Sequence, residues 1–222
     1  KQVKEMLKLH GGEVVGEEYV PLGHSEFASV VNKIKAADPD FIFSDLVGDS
    51  VAAFYKQYKS YGLSPEDMPI ASPVTAESEI VSMGADVAAG HYVSAAYFQT
   101  ADTPENKKFV EAYQAKYGAD EPITQVIEAT YFSTHLLAEA LKKADDVHDA
   151  DQVIKAFAGL EYNAPQGKVK IDEENNHAWL HSRIGKIGPD GRVEIVRETT
   201  EPIYPEPWSK LLFPDHEEPW KK

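Results

Sequence analysis

The chain has 222 residues, no cysteine, and 22 Lys and Arg against 37 Asp and Glu, a formal net charge of −15. That balance repels phosphate backbones and anionic membrane surfaces, which argues against nucleic acid as a partner, and the missing thiols exclude disulfide staples, thiolate catalysis and cysteine-ligated metal. With 42% hydrophobic residues the chain can bury a core, yet no apolar run approaches the roughly 18–20 residues of a membrane-crossing helix, so direct membrane insertion is not expected.

In chain order, Val3, Met6, Leu7 and His10 recur at helical spacing before Gly11-Gly12. The sequence thus opens inside a helix, and the expectation is that part of the fold lies upstream of Lys1. Residues 13–22, with Val14-Val15, Tyr19-Val20 and Leu22, read as a strand that ends at Gly23-His24. Ser25 then caps a helix over residues 26–37, whose Phe27, Val30, Val31 and Ile34 share one face and which Asp38-Pro39-Asp40 stops. Residues 41–44 form a continuously apolar strand of the kind buried on both faces, with 45–48 as its C-terminal loop. Asp49 or Ser50 caps the next helix, which turns Val51, Phe54, Tyr55 and Tyr58 inward and ends at Tyr61-Gly62. A strand over 68–71, a loop over 72–75 and a short helix over 76–83 follow.

This alternation predicts an α/β fold, a parallel sheet with helices on both faces in three layers, whose ligands lie at the carboxyl ends of the strands. Loops 45–48 and 72–75 then border the site. An alternating strand over 91–98 leads through a crossing at 100–103 to a helix opened by Pro104 at its first position. Helices over 123–144 and 150–158 come next. From residue 162 short strands alternate with turns at 164–167, 173–176 and 188–191. Residues 201–222 hold five of the 14 prolines and read as an extended tail pinned by Trp208 and Trp220.

Few residues carry chemistry on their own. His177 and His181 lie four apart beside Glu173 and Glu174, but residues 175–184 read as a strand, whereas a metal pair at that spacing needs a helix. No G-x-S-x-G elbow and no glycine-rich phosphate cradle occurs. Tyr131, Phe132, Leu136 and Leu137 form an apolar stripe suited to core or interface. Glu77 and Glu79 open a helix, where the macrodipole alone favours acids. Asp45 interrupts an apolar strand end: its carboxylate either accepts from a ligand NH2 group or caps the following loop.

The order Gly11-Gly12-Glu13-Val14-Val15-Gly16, Ala37-Asp38-Pro39-Asp40, Gly48-Asp49-Ser50, Ile70-Ala71-Ser72, Glu128-Ala129-Thr130-Tyr131, Ala164-Pro165-Gln166-Gly167, Asn175-Asn176-His177 and Pro205-Glu206-Pro207-Trp208 resembles the type I periplasmic solute-binding proteins over nearly the whole chain. The Asn-Asn-His turn and the Pro-Glu-Pro-Trp tail are similar to the amide- and urea-binding branch of the branched-chain amino acid receptor family. The resemblance implies two α/β lobes joined by three crossings, with residues 1–97 and 164–200 in the second lobe, 98–163 as the C-terminal part of the first, and the N-terminal part of the first absent. It implies a ligand site at Asp45, Leu46, Val47 and Thr75, although Ser44-Asp45 stands where the family usually has Ser-Thr or Asn-Thr. The implied function is non-catalytic: a short amide or urea is bound in the periplasm and delivered to the membrane permease of an ABC importer, with no cofactor and no metal. A cytoplasmic amide sensor restraining a transcription regulator, a branched-chain amino acid receptor and an amidohydrolase are the alternatives.

Overall fold

The computed structural model describes residues 1–216. Helix α1 (Gln2–Leu9) ends where Gly11 takes φ +73° and the Gly12 N–H donates back to the Leu7 carbonyl at 2.8 Å, so the glycine pair acts as the stop signal. Residues 13–22 depart from the expected strand. A strand exists only against a hydrogen-bonded neighbour, and none pairs with this segment among the described residues. Tyr19 and Leu22 are each 85% exposed, and Val20 alone of the segment's apolar residues packs on the core.

Helix α2 (Ala28–Ala37) starts later than the sequence implies, and the Ser25 side chain does not cap it. Gln57 does so from another helix: its Oε1 accepts the Phe27 N–H and its Nε2 donates to the Ser25 carbonyl, both at 2.7 Å. There follow β1 (Ile42–Phe43), α3 (Asp49–Ser60), β2 (Ile70–Ser72), α4 (Glu77–Met83), α5 (Ala85–Ala88) and β3 (Tyr92–Ala95). Gly48, at φ +62° and ψ −143°, occupies the N-cap of α3, a backbone conformation that neither Asp49 nor Ser50 would adopt readily. Beyond β3 come α6 (Pro104–Tyr117), α7 (Gln125–Lys143), α8 (Ala150–Phe157), β4 (Glu161–Ala164), β5 (Gly167–Ile171), β6 (Ala178–Trp179), β7 (Arg183–Ile187) and β8 (Val193–Glu198).

The first sheet has the order β1-β2-β3-β7-β8. Its first three strands are parallel, and β7 and β8 return antiparallel, so the sheet is mixed rather than parallel throughout. Strand β1 lies at its edge, which leaves Phe41 and Phe43 39% and 46% exposed instead of buried on both faces. The core beneath is Val51, Phe54, Tyr55 and Tyr58 of α3 packed against Phe27, Val31, Ile70, Ile80 and Val93. His91 is buried there between the rings of Tyr55 and Tyr58. Its Nδ1 accepts the Ile70 N–H at 3.0 Å, and burial pushes its pKa down to about 4, so it serves as a neutral core residue.

The second sheet, β4-β5-β6, is antiparallel and packs on α7 through Phe132, Leu136, Ala140, Leu160, Val169 and Ile171. Residues 167–179 therefore pair with this sheet, although the resemblance groups 164–200 with the first. The tight turn at Pro165-Gln166 keeps β5 against β4. The strand read over 175–184 is divided between the two sheets by the crossing at 180–182. In the tail, Ile203 bridges to Leu180, Tyr204 packs edge-on to Trp179, and the Pro205 carbonyl accepts from Asn175 Nδ2 at 3.2 Å. These residues pin it. Trp208, 43% exposed, makes its ring contacts with Phe213 and His216 inside the tail, and Trp220 lies outside the described residues.

Candidate functional site

Because β1, β2 and β3 run parallel, their C-terminal ends emerge side by side. At the end of β2, Ser72 Oγ accepts the N–H groups of Val74 and Thr75 and the Thr75 hydroxyl, the last at 3.0 Å. Tyr55 OH lies 3.4 Å from Thr75 Oγ1. Loop 72–75 is thus held by its own hydroxyls, and Thr75 is buried. At the end of β1, Asp45 is exposed, Leu46 is half-buried against the core, and Val47 is exposed.

A cavity of about 410 Å³ opens at the neighbouring strand ends, walled by Pro73, Ala96, Gln125, His181, Ser182 and Tyr204 among others. It meets loop 72–75 at Pro73. Asp45, Leu46, Val47 and Thr75 do not line it. A second hollow of about 590 Å³ runs along α7 past Gln125, Glu128, Phe132, Leu137 and Gln166.

On the wall of the second hollow begins a buried polar cluster that the sequence reading missed. The carboxylate of Glu128 on α7 accepts the Gln166 N–H at 3.2 Å and Gln166 Nε2 at 3.0 Å. Arg183, at the start of β7, donates from Nη2 to the Gln166 carbonyl at 2.7 Å, from Nε to Glu198 at 2.9 Å, and from Nη1 to the Ala96 carbonyl. One guanidinium so joins the end of β3, the β4–β5 turn and β8. Burial pushes the Glu128 carboxyl up to about 7, against the pull of its Gln166 hydrogen bonds and of Arg183. Burial likewise raises Glu77, whose Oε1 accepts the Gln99 N–H at 3.1 Å, to about 7. The legible signal was the spacing: Glu128 stands four residues before Phe132 and eight before Leu136, an acid on the buried stripe of its helix.

His177 and His181 are held apart. His177 Nδ1 contacts the Asn175 carbonyl and His181 Nδ1 the Thr199 carbonyl, and no group of three metal-ligating side chains exists among the described residues. Gly167, at φ +111°, lets the His181 ring approach: a Cβ there would lie 3.1 Å from Nε2. Gly167→Ala is expected to cost about 1–2 kcal/mol through the strained backbone, read as a lowered urea midpoint at unchanged slope.

The family described as periplasmic binding protein domain matches residues 1–213. Leu/Ile/Val-binding protein homolog 6 of Brucella suis biovar 1 is 29% identical over 170 residues, covering 75% of this chain and 43% of that protein. A protein named limonene hydroxylase from Geobacillus stearothermophilus is 34% identical over 125 residues, 56% of this chain and 23% of that one. Among solved structures, the solute binding protein of an ABC transporter from Rhodopseudomonas palustris BisB5, in complex with 3,4-dihydroxy benzoic acid, aligns with a TM-score of 0.80 at 29% identity. Its counterpart from Rhodopseudomonas palustris HaA2, in complex with p-hydroxybenzoic acid, gives 0.81 at 26%. Each of these alignments covers 90% of this chain and 56% of the other, so the chain spans only about half the length of these structures and less of the curated relatives. With its mixed α/β sheet and a family match from residue 1 to residue 213, the chain belongs to the periplasmic binding protein domain family.

Proposed function

We propose that the chain is part of a non-catalytic solute-binding protein that grips a small polar molecule in the periplasm and presents it to the membrane permease of an ABC importer. The observation that carries this reading is the row of parallel strand ends, with Asp45, Leu46, Val47 and Thr75 on two neighbouring loops and a ligand-sized cavity beside them. The chain leaves the first sheet at 96–103 for α6, returns to it from the second at 180–182, and after β8 runs back beside that return through the Ile203–Leu180 bridge, an arrangement suited to a closing two-lobed clamp. In this reading residues 1–97 and most of 183–200 belong to one lobe, and 98–163 with the β4–β6 sheet to the other.

The ligand class favoured is a short amide or urea. Asp45, exposed at the strand end, offers a carboxylate that accepts from NH2 groups and repels carboxylates, in a chain whose net charge is already −15. The second reading is a small aromatic acid, favoured by the hydroxybenzoates held by the two Rhodopseudomonas palustris proteins. Calorimetric titration with acetamide, urea, 4-hydroxybenzoate and leucine separates them. Asp45→Ala is expected to weaken amide binding about 10- to 150-fold, the worth of one buried hydrogen bond to a charged group. Unchanged amide affinity in that variant sinks the assignment of Asp45. Thr75→Val is the poorer probe, since it also takes a hydrogen bond from Ser72.

A further inference from the structure

Two side chains on the wall of the 410 Å³ cavity each have one hydrogen-bonding end committed to a backbone group. Gln125, in the first turn of α7, accepts the Ala96 N–H through Oε1 at 3.1 Å. Only an acceptor fits there, so the orientation of the amide is fixed and its Nε2 faces elsewhere, without a partner among the described residues. His181, in the 180–182 crossing, has Nδ1 3.0 Å from the Thr199 carbonyl. A carbonyl oxygen only accepts, so Nδ1 carries the hydrogen, and in the neutral ring the lone pair stands at Nε2. That nitrogen also lacks a hydrogen-bond partner among the described residues, and the ring that carries it lies on the cavity wall, seated close against Gly167. The backbone thus dictates one donor and one acceptor on a single cavity.

We infer that Gln125 and His181 are the specificity-determining pair for a neutral ligand that carries a carbonyl oxygen beside an N–H, a primary carboxamide or a urea. The carbonyl accepts from Gln125 Nε2, and the N–H donates to His181 Nε2. A carboxylate of the same shape has no donor and leaves the imidazole nitrogen unmatched. This assignment rests on the reading that the ligand lies at the strand ends, and it adds the residues that tell an amide from its acid. The sequence drew attention to His181 only as half of a metal pair with His177 and to Gln125 not at all, because each acquires this role only when a distant backbone group fixes its other end. Gln125 and Ala96 are 29 positions apart, and His181 and Thr199 are 18 apart.

The test is calorimetric titration of the 222-residue chain with matched pairs: acetamide against acetate, propionamide against propionate, benzamide against benzoate, with urea added. The expected result is that at least one amide or urea binds and that each amide binds at least about tenfold tighter than its acid, the discrimination set by an unpaired polar group. Gln125→Glu keeps the acceptor that Ala96 requires and removes the donor. His181→Phe keeps a planar ring and removes the acceptor. Each variant is expected to lose about tenfold or more in amide affinity while its far-ultraviolet circular dichroism stays that of the wild type, and an unfolded variant is replaced by Gln125→Met or His181→Leu under the same criterion. Amide affinity unchanged in both positions but weakened by Asp45→Ala overturns this pair and leaves the strand-end reading standing. A wild-type chain that binds none of the probes, or that prefers the acids, overturns both.

Discussion

Arg183→Met, at the start of β7, is expected to destabilise the fold by about 3 kcal/mol. The Arg183 side chain is 4% exposed, whereas its ion-pair partner Glu198 is 52% exposed, so Glu198 returns to water at little cost when the guanidinium is removed. The loss comes from the other two bonds. The carbonyls of Ala96 and Gln166 each lose a charged donor in a place where methionine supplies none, at about 1–3 kcal/mol apiece. Glu128 also loses a cation that offsets its burial. Arg183→Lys keeps the charge but not the planar fork that reaches three acceptors, and an intermediate loss is expected. Urea unfolding with an unchanged slope measures both. A loss below about 1 kcal/mol for Arg183→Met means that the crossings are held by something else.

Glu128→Gln is expected to make the chain more stable than wild type at about pH 8, by up to about 3 kcal/mol, and equally stable at about pH 4. The folded-state pKa of Glu128 is raised from 4.5 to about 7. Between those values the native chain holds a proton that the unfolded chain has released. Stability therefore falls as pH rises through this window and stays low above it, the reverse of a salt-bridged carboxylate. The rise from 4.5 to about 7, at roughly 1.36 kcal/mol per tenfold change in proton affinity, sets the upper limit. Glutamine imitates the protonated acid, so the variant lacks this pH dependence. The wild-type curve alone does not isolate the effect. His91, lowered from 6.5 to about 4, loses stability as pH falls through the same range, and Glu77, also raised to about 7, adds to the carboxyl effect. The difference between variant and wild type removes both. Urea midpoints at five pH values suffice, and a difference that is flat with pH means that the Glu128 carboxyl binds its proton equally well in the native and unfolded chains.

How far the sequence reaches is visible in individual residues. Helix periodicity and local stop signals depend on neighbours within about four positions, so α1 with its glycine stop, the inward face of α3, Pro104 at the start of α6 and the βαβ order were legible along the chain. The resemblance in motif order carried it to the family. What depends on pairing across long stretches of chain was decided only by the tertiary structure. Residues 13–22 have the composition of a strand but no neighbour to bond among the described residues, and β1 is apolar enough for a central strand yet lies at an edge of its sheet. The cap of α2 comes from Gln57, on another helix. The division of residues 162–200 between two sheets turns on which strands pair, β4 with β5 and β7 with β8, not on the alternation within each strand. The polar groups follow the same rule. Asp45 stands out in the sequence because it breaks a local apolar pattern and His181 because it lies four residues from His177, whereas Arg183 and Gln125 look like ordinary surface residues until backbone groups from distant segments take up one side of each. A one-dimensional pattern records what a residue is and what stands beside it. Which of its hydrogen-bonding groups remain available is a property of the folded chain.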